Sequence, residues 1–95
     1  MHVISRKKLR DAAERHPELS GSLEAWYRLA KKADWRSLAE VRQLFPSADV
    51  VDRFTVFDIK GNSYRLIAEI NYRYGRLYVR HVLTHAEYDK EGWKL

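Results

Sequence analysis

Cysteine is absent from this 95-residue chain. Neither a disulfide framework nor a zinc site built on thiolates is therefore possible, and a reducing compartment needs no special argument. Long apolar runs are missing too: the longest are three residues, such as Ala25-Trp26-Tyr27 and Leu66-Ile67-Ala68, far below the roughly 18 that cross a bilayer. An integral membrane protein is excluded. The basic start, Arg6, Lys7, Lys8 and Arg10, is not followed by the apolar stretch that a signal peptide needs, so a cytoplasmic location is expected. Proline and glycine are scarce, two and four residues, and no linker, repeat or low-complexity tract interrupts the chain. Length and continuity predict a single domain over residues 1–95.

What is present suffices for a small core. The chain is 45% hydrophobic, which at this size allows roughly 60–70% of the unfolded surface to be buried. Eighteen Lys and Arg against 13 Asp and Glu give a net charge of +5, a balance that favours an anionic partner such as nucleic acid or an acidic protein. Most of that excess lies before Ser47.

The first half reads as helices. After the β-prone His2-Val3-Ile4, Ser5 is placed to cap a helix through His16 with Leu9, Ala12 and Ala13 on one face. Pro17 stops it, and a turn is expected through Gly21. Leu23, Trp26, Tyr27, Ala30 and Ala33 then recur at the spacing of a buried helical stripe. Ser37-Leu38-Ala39-Glu40 has the form of a capping box for a third helix, which Pro46 ends. From Val50 onward β-branched and aromatic residues take over with period two. Phe54–Lys60 reads as a strand, Gly61-Asn62 as a tight turn, and Ser63–Tyr72 as the return strand, with Tyr64, Leu66, Ala68 and Ile70 facing away from Arg65, Ile67, Glu69 and Asn71. Arg73-Tyr74-Gly75 turns into a third strand, Arg76–Thr84, whose strict alternation sets Leu77, Val79, His81 and Leu83 against Tyr78, Arg80, Val82 and Thr84. Helices followed by an antiparallel meander predict an α+β fold of two layers, with His2–Ile4 at the sheet edge.

The polar residues of the meander exceed what folding requires. Arg65 and Arg80 lie inside strands, where neighbouring strands can bring two guanidinium forks to one phosphate-sized hollow. Thr84-His85-Ala86-Glu87-Tyr88-Asp89-Lys90 gathers an imidazole, two carboxylates, a phenol and an ammonium, all capable of acid, base or charge-stabilising roles. Each has a plainer reading. The arginines pair with Glu69 or Glu87 across the sheet, His85 is a turn or cap residue, Tyr88 is a half-buried anchor, and the charges of the first helix are a solvated face. His2 and His16 have no companion at metal-ligand spacing and are read as structural; no metal site is expected. Trp26 and Trp35 read as core, and Trp93 as either a packing anchor or a partner contact.

Taken in order, His2-Val3-Ile4-Ser5, Trp35 ahead of the third helix, Gly61-Asn62-Ser63-Tyr64-Arg65-Leu66-Ile67 and the Thr84–Lys90 block resemble the HigB toxins of type II toxin-antitoxin systems, within the RelE-like group. The resemblance implies a RelE-like α+β domain, N-terminal helices packed on an antiparallel sheet. It implies an endoribonuclease that cleaves messenger RNA, typically on the translating ribosome, without metal or other cofactor, using the ribose 2′-hydroxyl as nucleophile. It also implies a HigA-like helix-turn-helix antitoxin, through which alone operator DNA would be contacted. By position in its block, Arg65 matches the arginine that such toxins set on the scissile phosphate. Lys60, His85 and Tyr88 are the further catalytic candidates, and which of His85 and Tyr88 moves protons stays open. Arg80, Lys90, Lys7 and Lys8 are candidate RNA contacts, and Glu87 and Asp89 are either acid-base groups or supports for Lys90 or Arg80. A non-catalytic module that binds RNA or antitoxin and acts as a co-repressor is the alternative.

Overall fold

The computed structural model describes residues 1–94. Five strands, β1 (His2–Ile4), β2 (Asp49–Val51), β3 (Phe54–Ile59), β4 (Tyr64–Asn71) and β5 (Arg76–Thr84), form one sheet in the order β1-β5-β4-β3-β2. β2 to β5 pair antiparallel with their neighbours, and β1 joins the edge parallel to β5. The helices α1 (Arg6–Arg15), α2 (Ser20–Lys32) and α3 (Leu38–Leu44) precede the meander, and a short α4 (His85–Asp89) follows it. This is the α+β arrangement expected, consistent with a RelE-like fold.

The period-two pattern separates two faces. Phe57, Ile59, Leu66, Ala68, Leu77, Val79 and Val82 meet Leu9 and Ala12 of α1, Leu23, Trp26 and Ala30 of α2, and Val41 of α3. Phe57 is fully buried and is the hub of this core, with the rings of Trp26, Trp35 and Phe45 centred 5.4, 6.3 and 5.2 Å away. On the opposite face Phe54, Val56 and Ile67 form a second, smaller core under Trp93, with Leu83 and Tyr88 packed against it. Trp93 is thus an anchor: its indole stacks on Tyr88 at 5.1 Å, meets Phe54 edge-on at 5.4 Å, and donates to the Tyr88 carbonyl at 2.9 Å.

Four local expectations give way to tertiary structure. Strict alternation does not persist through β5, because Ile67 pairs with His81 but Ala68 pairs with Val79, leaving Arg80 as an extra residue in a β-bulge. The bulge moves Val82 to the main core with Leu77 and Val79 and sends Leu83 to the second; one inserted residue exchanges the two faces. Ser5 does not cap α1 through its hydroxyl, since it adopts a left-handed φ of 74° and offers its carbonyl to the Lys8 amide at 3.0 Å. The turn expected at Pro17–Gly21 is a 3-10 turn over Pro17–Leu19 that runs directly into α2. The Ser37 box is displaced: Ser37 Oγ accepts from Glu40 N at 3.4 Å, but the Glu40 carboxylate accepts from Arg36 N at 3.3 Å.

Candidate functional site

The β3–β4 hairpin places Arg65 directly opposite Asp58, while the β4–β5 register places Leu83 on its other side. Arg65 Nε faces Asp58 Oδ1 at 3.2 Å, and one terminal nitrogen donates to the carbonyls of Asn62 and Tyr64 at 2.6 and 3.2 Å. The other donates to His85 Nδ1 at 3.2 Å. In that contact the guanidinium can only donate, so Nδ1 of His85 accepts and the ring proton sits on Nε2, which leaves the longer 3.4 Å contact of the same Nδ1 with the Asn62 carbonyl unmet. Nε2 lies 3.1 Å from Asp89 Oδ2, one helical turn along α4. The guanidinium also lies over the Tyr88 ring at 5.5 Å. Arg65, His85, Tyr88 and Asp89 therefore form one assembly, floored by the second core. Only 12% of the Arg65 side chain is exposed, whereas His85 and Asp89 open to solvent at 51% and 61%.

The element that carries this set is short but well fixed. Thr84 Oγ1 accepts from the Glu87 amide at 3.1 Å, and the Glu87 carboxylate accepts from the Thr84 amide at 2.8 Å, a complete capping box. That backbone hydrogen bond holds the Glu87 carboxyl below its ordinary range, helped by the charges of Arg15 and His16. Glu87 is the cap of α4 and makes no ion pair with Lys90 or Arg80 among the described residues.

The remaining candidates lie elsewhere. Lys60, at a left-handed φ of 53°, sends its ammonium to the Glu18 carbonyl at 3.5 Å. It belongs to a group on the helical side, where the Tyr64 hydroxyl donates to Glu18 at 2.5 Å and the His16 ring lies 5.2 Å from that of Tyr64. This hydrogen bond lowers the Glu18 pKa and raises that of Tyr64. Arg80 does not converge with Arg65: its Nε pairs with Glu69 at 3.0 Å, four residues along β4. Lys8 donates to the Arg80 carbonyl at 2.7 Å, Lys7 pairs with Asp11 at 2.9 Å, and Lys90 is the exposed C-cap of α4. Among the described residues no group of three or more His, Asp or Glu side chains is arranged to hold a metal ion.

Two contributors escaped sequence reasoning, Asp58 and the Asn62 carbonyl. The signal for Asp58 was available, since a hairpin centred on Gly61-Asn62 sets positions 58 and 65 across from each other. Nothing in the sequence marks a turn carbonyl as a partner.

Chemically, the assembly joins a fork-shaped cation, an imidazole with one lone pair turned to that cation, a carboxylate on the far ring nitrogen, and a phenol. Such a set suits an anion whose reaction needs proton transfer. Residues 19–91 match the family described as HigB toxin, RelE-like toxic component of a toxin-antitoxin system. The chain is 37% identical over 93 residues to the mRNA interferase HigB of Escherichia coli O6:H1, covering 95% of this chain and 90% of that protein. It is 35% identical over 92 residues to the mRNA interferase toxin HigB of Escherichia coli K12 and to the mRNA interferase HigB of Shigella flexneri, covering 94% of this chain and 88% of each. The residues of the Arg65 assembly all fall within the matched segment, and the chain belongs to the HigB family of RelE-like toxins, the toxic components of toxin-antitoxin systems.

Proposed function

We propose that this toxin is a metal-independent endoribonuclease that cuts messenger RNA on the translating ribosome and is neutralised by a HigA-like helix-turn-helix antitoxin, through which it reaches operator DNA. The names of the relatives support the activity. The observation that carries the chemistry is the line Arg65–His85–Asp89, with contacts of 3.2 and 3.1 Å. A scissile phosphate that takes the outer N–H of Arg65 draws donation away from His85 Nδ1, which frees that lone pair beside the ribose. Neutral His85 then removes the 2′-hydroxyl proton, Asp89 steadies the imidazolium, and the 2′-oxygen forms its bond to phosphorus as the bond to the 5′-oxygen breaks. The products are a 2′,3′-cyclic phosphate and a 5′-hydroxyl. The Tyr88 hydroxyl, which has no hydrogen-bond partner among the described residues, supplies the proton to the leaving oxygen. Lys60, Arg80, Lys7, Lys8 and Lys90 contribute to holding the strand.

The test is Arg65→Ala. Loss of a transition-state donor costs about a hundred- to thousand-fold in rate, so induction of the variant should cause no growth arrest and primer extension should find intact transcripts, with a native circular dichroism spectrum. Undiminished cutting would overturn the assignment. The co-repressor reading draws on the low exposure of Arg65 and its Asp58 partner, as befits a scaffold residue. It expects uncut transcripts from the wild-type toxin as well.

A further inference from the structure

Pairing of β5 with β1 ends at Tyr78, and beyond it α1 packs against β5. A recess of about 250 Å³ opens between them, lined by Lys8, Asp11 and Arg15 from α1 and by Arg80, His81 and Leu83 among the residues of β5. Three permanent cations and one carboxylate are among its lining residues; the carboxylate, Asp11, is already paired with Lys7 at 2.9 Å, and one of the cations, Arg80, with Glu69 at 3.0 Å. Lys8 spends one N–H on the Arg80 carbonyl at 2.7 Å and keeps two. Arg80 pairs through Nε with Glu69 and its guanidinium lies 4.9 Å over the Tyr78 ring, while its terminal nitrogens make no hydrogen bond among the described residues. Arg15 makes no ion pair among them. Lys8 and Arg15 therefore leave the recess an excess of positive charge, and the His81 pKa is lowered by burial first and then by Lys8 and Arg80, against an opposing contact with the Trp93 backbone.

The recess adjoins the Arg65 assembly. Leu83, one of its lining residues, is the backbone partner of Arg65 across β4 and β5, with its side chain against the second core. Arg15 also acts on Glu87, the cap of the helix that carries His85. A strand seated on Arg65 thus has a cationic hollow along β5 for its next stretch of backbone, and planar guanidinium forks suit phosphate oxygens.

We propose that the recess between α1 and β5 is a second phosphate subsite, in which Lys8, Arg15 and Arg80 hold a neighbouring phosphodiester of the RNA strand cut at Arg65. The identity of the ligand rests on the endoribonuclease reading; the subsite itself rests on the recess. Neither Arg15 nor His81 belongs to the catalytic assembly.

Binding of strands made inert by 2′-deoxyribose tests it without any turnover. A dinucleotide has one internucleotide phosphate and reaches Arg65 alone, whereas a tetranucleotide also reaches the recess. Arg15→Gln should leave dinucleotide affinity unchanged, which also certifies its fold, and weaken the tetranucleotide, with the salt-dependence slope of log K reduced by about 0.7 for the lost contact. In the wild-type toxin, nuclear magnetic resonance should show His81 titrating at higher pH with the tetranucleotide bound, and not with the dinucleotide. Equal affinity of Arg15→Gln and wild type for the tetranucleotide would overturn the subsite while leaving the endoribonuclease reading intact. So would inorganic phosphate filling the recess at the concentrations that the tetranucleotide requires, since the hollow would then be a generic anion site. Failure of the wild type to bind either strand would strike the RNA reading and the subsite together.

Discussion

Arg65 is held by its neighbours before any substrate arrives. Asp58 fixes Nε, two turn carbonyls take one terminal nitrogen, and the other terminal nitrogen is shared with His85. A lysine carries the same charge but lacks the fork: an ammonium that satisfies Asp58 cannot at once hold the Asn62 carbonyl, orient His85 and meet a phosphate. Arg65→Lys should therefore lose nearly as much transcript cleavage as Arg65→Ala, and cleavage near the wild-type rate would mean that charge alone matters. The two α4 carboxylates separate in the same assay. Glu87→Gln preserves the acceptor that a capping box needs and should retain cleavage, whereas Asp89→Asn removes the anion that steadies His85 and should slow it. Because Asp89 is 61% exposed, water partly replaces it, so Asp89→Asn should fall short of the loss in His85→Ala.

At the scale of elements, α4 is five residues long and cannot sustain itself, since a single helical turn is unfavourable without support. Its support is the Thr84–Glu87 box at one end and Tyr88 against Trp93 at the other. Thr84→Ala should cost about 1 kcal/mol and should raise hydrogen exchange in residues 85–89 well before it affects β4. If exchange there is unchanged, the box does not position His85. Much of this architecture could be read in advance. The helices α1 to α3 and the meander announce themselves by period, and the Gly61-Asn62 turn fixes the register that sets Asp58 against Arg65. What could not be read depends on contacts distant in sequence. The bulge at Arg80 follows from packing Val82 into one core and Leu83 into the other, and no local signal specifies it. β2 and α4 are shorter than any window in which a period can be recognised. The Thr84 box has the required spacing, but the helix it starts has no apolar stripe to reveal it.

For the whole molecule, the sheet serves two cores with different tasks: the helical side holds most of the buried apolar residues, and the far side supports the Arg65 assembly. Burial at the recess, with the charges of Lys8 and Arg80 second to it, also shapes how the protein responds to acid. His81 has a lowered pKa in the folded state, so below the ordinary histidine value of about 6.5 the unfolded chain binds a proton that the recess resists. Stability should fall as pH drops from that value to the lowered one and then level off. Glu18 and Glu87 are also lowered, by the Tyr64 hydroxyl and the Thr84 amide. Their contribution is complete above the ordinary carboxylate range, near 4.3, and is lost as pH falls through their folded values. Acidification thus destabilises in two steps. Urea unfolding between pH 8 and 3 should resolve them, with His81→Gln abolishing the upper step and sparing the lower. A strand bound in the recess raises the His81 pKa toward its unfolded value, so the tetranucleotide should shrink the upper step in wild type and leave His81→Gln unaffected in that range. An upper step that survives His81→Gln would assign the proton to another histidine and detach the acid response from the recess.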